Sequence, residues 1–93
     1  MTSAIGDRAE RPAHPERDRI AAALSARQLE CLTWAQEGKS ATDIGQILGI
    51  SGRTVEGHLA KACSVLGVRT RVQAVVRARR LGLLPESLSE RLS

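Results

Sequence analysis

Ser40-Ala41-Thr42-Asp43-Ile44-Gly45-Gln46-Ile47-Leu48-Gly49-Ile50-Ser51-Gly52-Arg53-Thr54-Val55-Glu56-Gly57-His58-Leu59-Ala60-Lys61-Ala62-Cys63-Ser64-Val65-Leu66-Gly67 decides the fold. It reads as two helices joined by a tight turn. Ser40 offers a side-chain acceptor ahead of the first helix, and Asp43 falls in its first turn, where negative charge suits the helix dipole. Ile44, Ile47 and Leu48 make an apolar stripe at helical spacing. Gly49 follows where a helix stop needs a residue free to take positive φ. Ser51 caps a second helix whose Val55, Leu59, Ala62 and Leu66 stand at i, i+4, i+7 and i+11, one face of a helix. Gly67 ends it. The opposite face carries Arg53, Glu56, Gly57, Ala60, Lys61 and Ser64, polar or small throughout.

A helix–turn–helix whose second helix presents a polar face is a unit suited to the DNA major groove. Three positions make that reading specific. Gly45 is small where the helices cross, Gly49 makes the turn, and Val55 is a branched apolar plug beneath both. The plainer alternative is a helical hairpin within a small bundle.

The chain has 93 residues, enough for one domain with a small core. It has one Trp and neither Phe nor Tyr, so Ala, Leu, Val and Ile must fill the interior. That composition suits short packed helices better than strands, which favour aromatic and β-branched residues. Formal net charge is +4, and the pI is about 10.0. Within residues 1–19 the bases Arg8, Arg11, Arg17 and Arg19 cancel the acids Asp7, Glu10, Glu16 and Asp18, so the excess lies in residues 20–93. A basic helical domain points to an anionic partner, nucleic acid first.

Residues 1–19 contain Pro12 and Pro15 and few apolar side chains; they read as a flexible tail or linker, with His14 exposed and idle. Pro15 is also placed to start a short helix running through Ile20 to Leu24. Residues 20–93 read as the domain. Ser25-Ala26-Arg27-Gln28 is a capping box that opens a helix with Leu29, Leu32 and Ala35 on one face, ended by Glu37-Gly38. Trp34 is expected to anchor the core, and Glu30 to pair with a base on another helix. Thr70-Arg71-Val72-Gln73 is a second capping box, opening a last helix with Ala74, Val75, Ala78 and Leu81 inward. Val72 and Val76 lie toward another side, either as ordinary exposed valines or as a dimer seam. Arg77, Arg79 and Arg80 read as a solvated face. Beyond Pro85, Leu88 and Leu92 make one short amphipathic turn or no structure. The expected helices span about 26–37, 41–48, 52–66 and 71–81.

Cys31 and Cys63 lie on or beside apolar stripes, far apart, and read as reduced, buried small hydrophobes rather than a disulfide or metal site. No triad, metal-ligand or phosphate-loop spacing appears, so neither an enzyme nor a cofactor is expected. No secretory signal is visible, and the apolar run Ile20–Leu24 is too short to cross a bilayer; a cytoplasmic protein without membrane contact is expected.

Further motifs flank the central stretch. Leu24-Ser25-x-Arg27-Gln28-x-Glu30-x-Leu32 and Glu37-Gly38-Lys39-Ser40 stand before it, and Leu66-Gly67-Val68-Arg69-Thr70-Arg71-x-Gln73-Ala74-Val75 behind it. With Asp43-Ile44-Gly45-x-Ile47-Leu48-Gly49-Ile50-Ser51-x-Arg53-Thr54-Val55 and His58-Leu59 between them, the chain resembles the LuxR-type, or GerE-type, DNA-binding domain from about Leu24 to Leu84. The W-x-x-x-G-K-S and D-I-G-x-I-L-G-I-S wording is similar to the quorum-sensing branch. The resemblance implies an all-α domain of four helices, the third in the major groove and the fourth in a dimer contact. It also implies a transcription regulator whose sensor domain lies N-terminal to this one. Met1 and a tail without an affinity tag lean toward a natural single-domain protein rather than a fragment. Three departures stand out: Glu56 where Asn or Lys is common, Gly57 where a larger apolar residue is usual, and Ser64-Val65 in place of a basic pair.

The function expected is that of a sequence-specific DNA-binding transcription regulator. Lys39, Arg53 and Thr54, with the helix N-termini at Ser40 and Ser51, are expected to hold phosphates. Glu56, Gly57, Ala60 and Lys61 are expected to face base edges. The resemblance adds His58 as a phosphate contact, and Arg69 and Arg71 are placed to clamp the backbone from the far side. Partners are double-stranded DNA and a second copy through Val72, Val76 and Arg80. The alternative is a protein-interaction module that pairs with a related LuxR-type regulator or contacts RNA polymerase without reading DNA strongly. Sigma-factor region 4 carries a similar motif, but Leu66-Gly67-Val68-Arg69 favours the LuxR type.

Overall fold

The structure is a computed structural model and describes residues 14–88. Among the described residues five helices follow one another: α1 (Pro15–Ala23), α2 (Ala26–Gln36), α3 (Ala41–Leu48), α4 (Gly52–Leu66) and α5 (Arg71–Arg80). No strand occurs among the described residues. The all-α expectation is met, and α2 to α5 are the four helices expected. α1 precedes them, so residues 15–19, expected in the tail, are helical; residues 1–13 of that tail, like Leu92, lie outside the described residues.

Each helix starts in the same way. The side chains of His14, Ser25, Ser40, Ser51 and Thr70 accept from the amides of Arg17, Gln28, Asp43, Thr54 and Gln73, each three residues on. Both expected capping boxes are closed, with Gln28 and Gln73 reaching back to the cap amides. His14 is therefore not idle: its Nδ1 accepts from Arg17 at 3.1 Å.

α4 runs through the middle of the domain. Val55, Leu59, Ala62 and Leu66 are all buried, as their spacing predicts. Around them pack Leu32 and Cys31 of α2, Ile44 of α3, Ala74 and Ala78 of α5, and Ile20 and Leu24 at the end of α1. Full burial of each large aliphatic stabilises by about 1.5–3 kcal/mol. Burial also pushes the Cys31 thiol pKa up, with nearby Arg27 opposing the shift. Cys63 is half-buried and raised for the same reason, with Arg71 opposing.

Several side chains differ from expectation. Ile47 is 45% exposed, because α3 is peripheral and buries only Ile44 and Gly45 against its neighbours. Trp34 packs on the edge of the core, only partly buried; the centre is filled by Leu32, Ile44, Leu66 and Val55. The inward stripe of α2 is Gln28, Cys31 and Leu32, with Leu29 and Ala35 partly buried beside it. Glu30 pairs within its own helix, with Arg27 at 3.1 Å. After α5 the chain crosses back over the end of α2. There Gln36 Nε2 donates to the Pro85 carbonyl at 3.0 Å and the Leu88 amide donates to Glu37 Oε2 at 2.8 Å.

Candidate nucleic-acid interface

The junction of α3 and α4 brings backbone against backbone at Gly45. The Gly45 carbonyl accepts from the amides of both Gly49 and Ile50, the latter at 2.9 Å, closing the end of α3. Gly49 takes φ 75°, the left-handed conformation for which glycine has no steric penalty. Gly45 itself faces the turn with no room for a side chain: a Cβ there would lie 2.5 Å from the Ile50 carbonyl oxygen. Val55 is fully buried beneath this junction. All three positions therefore act as their sequence suggests.

With its apolar stripe buried, α4 must turn Arg53, Gly57, Ala60, Lys61 and Ser64 outward, and all are exposed. Gly57 stands in open space, with nothing within 4 Å of where its Cβ would be. The outermost strip of α4 is thus low, flanked by the long cations Arg53 and Lys61. At the start of α4, Thr54 donates its amide to Ser51 Oγ at 3.0 Å, and the two hydroxyls lie 2.9 Å apart. Ser40 accepts from the Asp43 amide at 3.1 Å. Both caps are exposed, as are Lys39 and Arg69. His58 is half-buried, on the flank of α4 away from Glu56.

Glu56 lies on the flank of α4 nearest α5. Its Oε1 accepts from Arg71 Nη2 at 3.0 Å. Two residues expected separately as DNA contacts are therefore one ion pair. On α5, Val72 and Val76 are 71% and 43% exposed. They separate two shallow hollows: one reaches Ala35, Lys39 and Arg71, the other Glu16, Arg77 and Arg80.

Arg77 is not part of a solvated face. It is partly buried, Nη1 donating to the Leu66 carbonyl at 3.0 Å and Nη2 to Glu16 at 2.6 Å. Arg17 Nε donates to the Leu81 carbonyl at 2.8 Å. The bonds to Leu66 and Leu81 cap the ends of α4 and α5, where a cation is favoured, and those of Glu16 and Arg17 fasten α1 to α5. No sequence signal marks them, since the partners are far apart in the chain.

The family and the fold can be placed by likeness to known proteins. Residues 22–78 match the family described as bacterial regulatory proteins, luxR family. The chain is 49% identical over 57 residues to the transcriptional activator protein VanR of Vibrio anguillarum, covering 61% of this chain and 24% of that one. It is 51% identical over 63 residues to SolR of Ralstonia nicotianae, covering 68% and 27%. Against LuxR of Aliivibrio fischeri it is 49% identical over 55 residues, covering 59% and 22%. The chain thus spans about a quarter of the length of the curated relatives it matches. The solved structure of the transcription factor GerE superposes with a TM-score of 0.64 at 35% identity, covering 67% of this chain and 92% of that one. With the family matched across most of the domain and its fold matched by GerE, the chain belongs to the luxR family of bacterial regulatory proteins, whose helix–turn–helix domain it carries.

Proposed function

We propose that this domain reads double-stranded DNA as part of a sequence-specific transcription regulator, with α4 in the major groove. The observation that carries the reading is the outer face of α4. It is exposed, low along Gly57, Ala60 and Ser64, and flanked by Arg53 and Lys61, on a helix held at a fixed angle to α3. Arg53, Lys39 and Thr54, with the capped helix starts at Ser40 and Ser51, hold phosphates. Ala60 and Lys61 lie against base edges, and Gly57 lets the backbone approach them. His58 and Arg69 sit at the margins of the contact. Work on bacterial DNA puts the protein in the cytoplasm. Among the described residues no helix is long and apolar enough to cross a membrane.

The working unit is a dimer through α5, with Val72 and Val76 at its centre and Arg80 at its edge. Two exposed valines one turn apart support this seam. The same seam serves a second reading, in which the domain pairs with a related regulator or with RNA polymerase.

Binding to DNA duplexes across a salt series tests the proposal. The logarithm of affinity should fall linearly with the logarithm of salt, and Arg53→Ala should flatten the slope by roughly 1 for all sequences alike. Lys61→Ala should alter which sequence is preferred. Arg80→Ala should do neither, and should weaken self-association instead. A protein that binds no duplex in a salt-sensitive way, alone or with a related partner, would overturn the reading in favour of the second.

A further inference from the structure

We propose that Glu56 is a positioning residue: its carboxylate holds the Arg71 guanidinium beside α4, and Arg71, not Glu56, meets the DNA backbone. The inference rests on the DNA-reading function proposed above. Glu56 is the only acid on α4. A lone carboxylate on the face offered to a polyanion opposes binding, whatever base it accepts from. Its position is also wrong for the centre of a groove contact. It stands beside buried Val55 and on the same flank as half-buried Cys63; its side chain is 59% exposed, at the edge of the outer face, with its carboxylate on Arg71 of α5.

Arg71 has the complementary anomaly. It is the first residue of α5, where a cation opposes the helix dipole. Among the described residues its side chain's one hydrogen bond is that to Glu56, at 3.0 Å. A guanidinium has five N–H donors in a rigid fork, so Nη1 and Nε keep theirs. The side chain is 35% exposed, enough to present those donors while its stem is confined. An arginine already held in one arrangement loses less freedom on meeting a phosphate than a free one does. The pair thus removes the penalty of the acid on α4 and preorganises a cation at the α4–α5 edge.

The test uses the full chain and a mixed-sequence DNA duplex, with Glu56→Ala, Glu56→Gln, Arg71→Ala and the double variant Glu56→Ala/Arg71→Ala. Thermal melts followed by circular dichroism check that each variant folds. Glu56→Ala should weaken binding several-fold although it removes a negative charge, and Glu56→Gln, which still accepts from Arg71, should recover most of the loss. Arg71→Ala should flatten the salt slope by about 1. The double variant should bind no more weakly than Arg71→Ala alone, the non-additivity expected of residues acting as one unit. Tighter binding by Glu56→Ala, equally in the presence and absence of Arg71, would overturn the proposal and leave Glu56 a merely repulsive charge. A Glu56→Ala change in base preference that persists without Arg71 would overturn it in favour of direct base reading. Failure of the unsubstituted protein to bind any duplex would instead remove the DNA-reading premise.

Discussion

Gly45 and Ile50 hold each other from both sides: the Ile50 amide donates to the Gly45 carbonyl at 2.9 Å, and a Cβ on Gly45 would lie 2.5 Å from the Ile50 carbonyl oxygen. The obstructing atom is backbone, so it cannot rotate aside. Gly45→Ala should therefore force α3 and α4 apart and cost about 1–3 kcal/mol, as overpacking does. Denaturant unfolding measures this directly. A midpoint equal to that of the unsubstituted protein would show that the junction opens freely.

Ser51 caps α4 through the Thr54 amide at 3.0 Å. Ser51→Ala should cost about 1 kcal/mol of stability. If phosphate also sits at this helix start, DNA affinity should fall by more than the melt accounts for. Equal melting of the two proteins would rule out the cap.

Gly57 lies mid-helix with open space around it. Gly57→Ala should raise stability by about 1 kcal/mol, because alanine is the better helix former and meets no obstacle. The added methyl then reports on the groove. Affinity for DNA should drop while the melting temperature rises, opposite in sign to most destabilising substitutions. A parallel gain in both would show that this part of α4 stays clear of the bases.

Arg77 joins the Leu66 carbonyl at the end of α4 to Glu16 of α1. A hydrogen bond from a charged donor is worth about 1.5–3 kcal/mol, whereas a largely exposed ion pair adds only about 0–1 kcal/mol. Arg77→Ala should therefore destabilise by about 2 kcal/mol and Glu16→Gln by less than about 1 kcal/mol. Comparable losses from the two would mean that Arg77 stabilises mainly through its ion pair to α1 rather than through its cap on the end of α4.

What could be read from the chain, and what could not, follows from how far each signal extends. The face of α4 repeats over several turns, so Val55, Leu59, Ala62 and Leu66 declare themselves. α3 is short, and its apolar stripe overstates its burial; Ile47 belongs to the pattern but has no neighbour to cover it. α1 buries only Ile20 along its length, so no stripe announces it. Its anchors, Arg17 to Leu81 and Glu16 to Arg77, join residues that only the fold brings together. The Glu56–Arg71 pair was invisible for the same reason. Each residue was legible as charged and exposed, but their cancellation depends on how α5 crosses α4.

Each described helix begins at a side chain that accepts an amide three residues on, within its own stretch of chain. These contacts close without waiting for distant parts of the molecule to meet. Helix starts are thus specified before docking, and the search left to folding is the assembly of short, prepared rods around α4. Small helical proteins with such local contacts fold in about microseconds to milliseconds. Removing one cap should slow that assembly only where the helix it opens already belongs to the folding nucleus.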